Sequence, residues 1–179
     1  MARPPKAREK VLRAYISLLC SEGERAATMD AVAARAGVSK GGLLYHFGSK
    51  DALAEAVLAR FDEVTSADLA EMAQAPEGPA QHFVRTSWVT DAPLDSTYQA
   101  VLRLAQSGHE PAVATLETVH EAWLAMIREE VGDSGAAETI MLIGEGLYHQ
   151  AAMPGGWSRT TFANNLAKLQ EQVEVLKRG

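Results

Sequence analysis

Apolar residues recur at three- and four-residue steps along nearly the whole chain, the spacing of helices with one buried face. Val11, Tyr15, Leu18 and Leu19 mark the first, and Gly23 stops it, which predicts a helix over 6–22. Thr28 reads as the N-cap of a short helix over 29–36, with Asp30 near its positive end and Gly37 at the left-handed position after it. Ser39 caps a third short helix, to about Phe47, whose inner side carries Leu43 and Phe47. Ser49 opens a long fourth helix striped by Leu53, Val57, Phe61, Val64 and Met72.

Pro and Gly over 75–79 break that helix. Helices are predicted next over 80–90 and 95–107, the second capped by Asp95. Glu110 and Pro111 look like the cap and first turn of a longer helix to Val131, with Leu116, His120, Trp123, Ile127 and Val131 along its inner side. After Gly132-Asp133-Ser134-Gly135 comes a helix over 136–152, and Ser158 caps a last one over 159–177. No alternating strand pattern and no internal repeat interrupts this reading, so the expected fold is all-α with about nine helices.

The 179 residues fit one domain, or a small module joined to a larger one. The formal charge is -6, which read alone argues against a nucleic-acid partner. Its distribution says otherwise. Residues 1–50 hold nine Lys or Arg against four Asp or Glu, a surplus of five positive charges, and the remainder is net negative by eleven. A basic binding module on an acidic body has this asymmetry; so does a solvated basic face with no partner. Cys20 is the sole cysteine, so neither an intrachain disulfide nor a cysteine-built metal site is available. No apolar run is long enough to span a membrane, and the basic N-terminus lacks the pattern of a secretory signal, which makes the cytoplasm the expected compartment.

The stretch over 28–50, TMDAVAARAGVSKGGLLYHFGSK, carries the functional signal. Two short helices joined by a tight Ala-Gly-Val-Ser turn have the form of a helix-turn-helix. With Leu43 and Phe47 turned inward, Lys40, Gly41, Gly42, Leu44 and Tyr45 are left for the outer side. Lys40 suits a phosphate or a guanine edge, the glycines let backbone come close, and Tyr45 suits a phosphate, a sugar or a thymine methyl. Lys50 and the amides after Ser49 lie at a helix N-terminus, where phosphate is favoured.

These residues resemble the DNA-binding signature of TetR-type transcriptional regulators. The likeness covers about residues 9–60 and is densest in AARAGVSKGGLLYHFGSK. One departure stands out: Leu44 occupies the usual tyrosine position, and Tyr45 follows one residue later, about 100° further round the helix. The resemblance implies a helix-turn-helix DNA-binding domain over 1–50 and a helical effector-binding and dimerisation domain over 51–179. It implies DNA contacts at Thr28, Ser39, Lys40, Gly41, Gly42, Leu44, Tyr45, His46 and Lys50. The implied partners are a palindromic double-stranded operator, a second copy of the chain and a small-molecule effector.

The body allows two readings at each point. Phe162, Leu166, Leu169 and Val173 form a heptad-like seam, and Ile140, Gly144 and Leu147 line the helix before it. They suit either a four-helix dimer interface or intrachain packing. Trp88, Tyr98, His120, Trp123, Met126, Met141 and Tyr148 suit either a ligand pocket or plain core. No nucleophile-base pair, metal spacing or phosphate loop points to an enzyme, and no cofactor is expected. Gly132-Asp133-Ser134-Gly135 echoes a protease string, but helix capping explains it better. A ligand-released repressor is the leading reading; a constitutive DNA-binding protein and an all-helical enzyme are the alternatives.

Overall fold

The computed structural model describes residues 5–88, 93–152, 161 and 165–178. Among them are nine helices and no strand: α1 (Pro5–Glu22), α2 (Met29–Ala36), α3 (Lys40–His46), α4 (Lys50–Ala73), α5 (Pro79–Thr86), α6 (Pro93–Gln106), α7 (Glu110–Val131), α8 (Ser134–Ala152) and α9 (Leu166–Leu176). The chain forms two compact units. One comprises residues 1–65 and 93–117, the other 66–92 and 118–179, so α4 and α7 each contribute to both.

Short polar side chains set the helix starts. Thr28 Oγ1 accepts from the Ala31 amide at 3.2 Å, Ser39 Oγ from Gly42 at 3.1 Å and Ser49 Oγ from Ala52 at 3.1 Å. Each satisfies one of the amides that a helix start leaves without a partner. Asp133 does the same for α8, accepting from Ala136 at 2.7 Å. Two expected caps differ. α6 starts at Pro93, which places Asp95 in its first turn instead of before it. For α7 the capping acceptor is His109, whose Nδ1 takes the Ala112 amide at 3.2 Å, while Glu110 is already helical. Proline sits comfortably at a first helical position because it has no amide hydrogen to satisfy, which suits Pro93; in α7 the His109 ring nitrogen supplies the acceptor one residue before Glu110. The cap expected at Ser158 lies outside the described residues.

In the first unit α1 packs against α2, α3 and α6. Val11, Tyr15 and Leu19 of α1 are fully buried with Val32 of α2, Leu43 of α3, Leu53, Val57 and Phe61 of α4, and Val101 of α6. Each such side chain contributes about 1.5–3 kcal/mol by leaving water. The Phe61 and Tyr98 rings lie 6.0 Å apart within this core. Arg60 grips Glu9 with two guanidinium nitrogens, at 2.7 and 3.3 Å, fixing α4 to α1.

In the second unit α5 packs on α8 and α9. Met72, Val84, Ile127, Ile140 and Val173 are fully buried here. Polar groups tie the ends together. Glu130 accepts from the Ala80 amide at 2.7 Å and pairs with Lys177 at 2.7 Å. Gln81 donates to the Gln170 carbonyl at 2.7 Å and to Glu174 at 2.9 Å.

Candidate nucleic-acid interface

The turn between α2 and α3 is built as its sequence requires. Gly37 has φ 65°, left-handed, and its amide and that of Val38 return to the Ala34 and Ala33 carbonyls at 3.2 and 3.0 Å. A Cβ is strained in that conformation, which is why glycine closes α2. The chain then reverses into α3. Leu43 is fully buried and Phe47 nearly so, and these anchors hold the opposite side of α3 in solvent. Arg8 covers the Phe47 ring, its guanidinium carbon 4.9 Å from the centroid.

Thr28, Ser39, Lys40, Gly41, Leu44 and Tyr45 are exposed, and Gly42, His46 and Lys50 are half-buried. All nine expected contact residues therefore have surface to offer. Tyr45 is 84% exposed, and its ring meets the His46 ring edge-on at 5.2 Å. The two lysines are not bare charges. Lys40 pairs with Asp30 at 3.0 Å, both side chains mostly in solvent. Lys50 pairs with Glu24 at 2.6 Å and donates to its carbonyl at 2.7 Å, in a more sheltered position. An exposed pair contributes little, about 0–1 kcal/mol, so Lys40 can exchange Asp30 for a phosphate at small cost. Lys50 has more to give up. Neither partner was legible in the sequence, since Asp30 and Glu24 come from other segments.

Gly41 has a helical backbone, and a Cβ built on it meets, beyond its immediate chain neighbours and its own helix backbone, no atom of the described residues within 4 Å. The fold does not ask for glycine there, although glycine weakens a helix by about 1 kcal/mol against alanine. Gly42 differs: its added Cβ would stand 3.2 Å from the capping Ser39 Oγ.

The residues expected at a ligand pocket are divided between the units. Tyr98 lies in the first, against Phe61. Trp88, His120, Trp123, Met126, Met141 and Tyr148 lie in the second. Trp123 is nearly buried, its ring 5.7 Å from Phe83 and 5.8 Å from His120, which stacks on it. His120 Nδ1 is 3.9 Å from Glu145. Sequence reasoning missed two groups here. Trp123 Nε1 donates to Asp68 at 2.8 Å, and burial pushes the Asp68 carboxyl above its ordinary range despite that hydrogen bond. His82 is buried, and its Nε2 has no hydrogen-bond partner among the described residues. Helical spacing gives no sign of either, because Trp123 lies 55 residues from Asp68 and the burial of His82 is set by the packing of separate helices.

The residues expected at a dimer seam are mostly inside their own chain. Ile140, Leu147 and Val173 are buried, and a Cβ on Gly144 would stand 2.3 Å from the Phe83 ring. Leu166 and Leu169 are half-buried, and Phe162 lies outside the described residues. The apolar side chains that α8 and α9 turn to solvent are Leu142 and Val175, 68% and 63% exposed. Among the described residues no cluster of three or more His, Cys, Asp or Glu suits a metal ion, and no helix is long and apolar enough to cross a membrane.

Two capped short helices around a left-handed glycine, with a solvent-facing second helix, define a helix-turn-helix module. Residues 11–57 match the family model of the bacterial regulatory proteins, tetR family. Solved structures of the same fold span essentially the whole chain. A protein from Rhodococcus sp. assigned to the TetR-family transcriptional regulators superimposes with a TM-score of 0.67 at 19% identity, covering 96% of this chain and 99% of its own. The multidrug binding protein EbrR, complexed with malachite green, gives 0.66 at 19% identity over 96% and 98%. A gamma-butyrolactone receptor, an ArpA-like protein, gives 0.61 at 19% identity over 97% and 97%. No curated protein matches the sequence. Residues 11–57 thus match the model of that family's N-terminal module, and the chain as a whole shares its fold with these solved structures.

Proposed function

We propose that the chain is a homodimeric transcriptional regulator that grips duplex DNA with α3 and is released from it by a small ligand. The carrying observation is the two-sidedness of α3: Leu43 and Phe47 are inside, while Ser39, Lys40, Gly41, Leu44 and Tyr45 face water. A seven-residue helix anchored this way suits a major groove. Lys40, Lys50 and the hydroxyls at 28 and 39 supply phosphate contacts, which set register and make binding salt-dependent.

Pairing of two chains matches a two-half-site operator. Leu142 and Val175 support an interface on the outward sides of α8 and α9, since the inward sides are occupied by their own chain. For the effector, the polar groups Asp68, His82 and His120 beside Phe83 and Trp123 supply the mixture of ring faces and few polar anchors that small ligands use. A ligand-holding neighbour of the same fold, EbrR with malachite green, supports that part of the reading. Such a ligand acts by favouring one of two states of the dimer over the other.

Fluorescence anisotropy of the full chain on duplexes enriched from a random pool tests the DNA half. Enrichment of a two-fold-symmetric sequence is expected; equal affinity for all duplexes contradicts it. Unchanged DNA affinity across a panel of small molecules that bind the chain counts against the induction half.

A further inference from the structure

Base edges are told apart in the major groove by a short vocabulary. Arg or Lys reads guanine, Asn or Gln reads adenine, Asp or Glu reads cytosine, and apolar side chains read the thymine methyl. α3 is Lys-Gly-Gly-Leu-Leu-Tyr-His, with no Arg, Asn, Gln, Asp or Glu. Its one lysine stands at the first turn, paired with Asp30 at 3.0 Å. In α2, Arg35 is held by the Ser17 hydroxyl at 3.0 Å and by Glu22, and so is committed within its own module. Beyond Lys40, the large side chains α3 turns outward are Leu44, 44% exposed, and Tyr45, 84% exposed.

Single exposed apolar residues are ordinary on protein surfaces. This pair differs in its setting. It stands one turn beyond Gly41, a helical glycine that no neighbour within the chain requires. After Lys40, two glycines without side chains let the helix approach base edges closely, and the next side chains to arrive there are Leu44 and Tyr45. We infer that this module selects its operator mainly by thymine methyl groups, read by Leu44 and by the Tyr45 ring, with Lys40 serving chiefly as a phosphate contact. The inference rests on the proposed DNA-binding function and adds the chemistry that the recognition helix reads.

Deoxyuridine differs from thymidine only by the lost methyl, and 5-methylcytosine places a methyl at the same groove position on another base pair. A duplex enriched from a random pool by the full chain is resynthesised with each thymine replaced singly by uracil. Burial of a methyl-sized group is worth about fourfold in affinity. The expected result is a loss of about fourfold at one or more thymines in each half-site. In Leu44→Ala or Tyr45→Ala that loss should shrink toward nothing at the thymine each side chain reads. Cytosine at such a position should weaken binding, and 5-methylcytosine should recover part of it. A tightly bound duplex indifferent to every uracil would overturn methyl reading while leaving the regulator assignment intact. Uracil penalties that persist unchanged in both variants would overturn the roles of Leu44 and Tyr45. Failure to enrich any duplex would instead overturn the regulator reading, and methyl reading with it. Both variants change exposed side chains, and an unchanged melting temperature confirms that the fold is retained.

Discussion

Asp30 and Asp68 hold the same chemical group in opposite surroundings. Asp30, in the first unit, stands in solvent beside Lys40. Asp68, in the second, is half-buried, with the Trp123 N–H on one oxygen and no Lys or Arg at ion-pair distance among the described residues. Water screens the first and makes its ion pair cheap to break. Desolvation makes the second costly as a charge and pushes its carboxyl upward. Asp30 and Lys40 therefore stand in water as partners that separate at little cost. Asp68 is sheltered instead, satisfied by an indole N–H and not by a cation.

Neighbouring leucines give the sharpest break of that comparison. Leu43→Ala removes a fully buried anchor and should cost about 2–5 kcal/mol in stability, read by chemical denaturation. Leu44→Ala next to it should stay within about 0.5 kcal/mol. A large loss in both would mean that α3 is packed on two sides and has no free face. For DNA, Lys40→Ala and Tyr45→Ala should each weaken an enriched duplex by about tenfold with little change in melting. Wild-type affinity should fall steeply with salt, and the Lys40→Ala slope should be shallower by about one phosphate.

Gly41→Ala should divide the two properties. With no neighbour within 4 Å of the new methyl, the helix should gain about 0.5–1 kcal/mol while DNA affinity drops. Tighter binding together with higher stability would remove the argument for close backbone approach. The smallest effect is expected in the second unit. A carboxyl held above its ordinary range binds its proton more tightly in the folded chain than in the unfolded one. Its charged form therefore opposes folding at neutral pH, and that opposition is relieved as pH falls through the raised value. Asp68→Asn keeps an acceptor for Trp123 and removes the charge. It should be modestly more stable than wild type at pH 7, with the difference fading on acidification toward the ordinary aspartate range. A difference that grows as pH falls would reverse the sign and refute the desolvation account.

The helical order, and the α2–α3 module nearly residue by residue, were legible in the sequence. Local chemistry determines them: Thr28 and Ser39 as caps, Gly37 at the left-handed turn, Leu43 and Phe47 four apart. What escaped was pairing across distance. Lys40 with Asp30, Lys50 with Glu24, Arg8 over Phe47 and Asp68 under Trp123 join separate segments, and no spacing rule brings them together. The stripe through Ile140, Leu147 and Val173 was legible as buried, but periodicity cannot tell burial against a neighbouring helix of the same chain from burial against a second copy. Leu142 and Val175 break the stripe and stand in solvent.

The surroundings of Cys20 have a practical consequence. Its thiol is turned to the Ser96 carbonyl at 3.4 Å, and burial pushes its ionisation upward. A thiol that stays protonated reacts slowly with maleimides. Since no other cysteine exists in the chain, a Tyr45→Cys variant would take a fluorophore or spin label almost solely at the new site. The distance between two such probes then tests directly whether the proposed dimer forms and whether an added small molecule changes it, without first removing the native sulfhydryl.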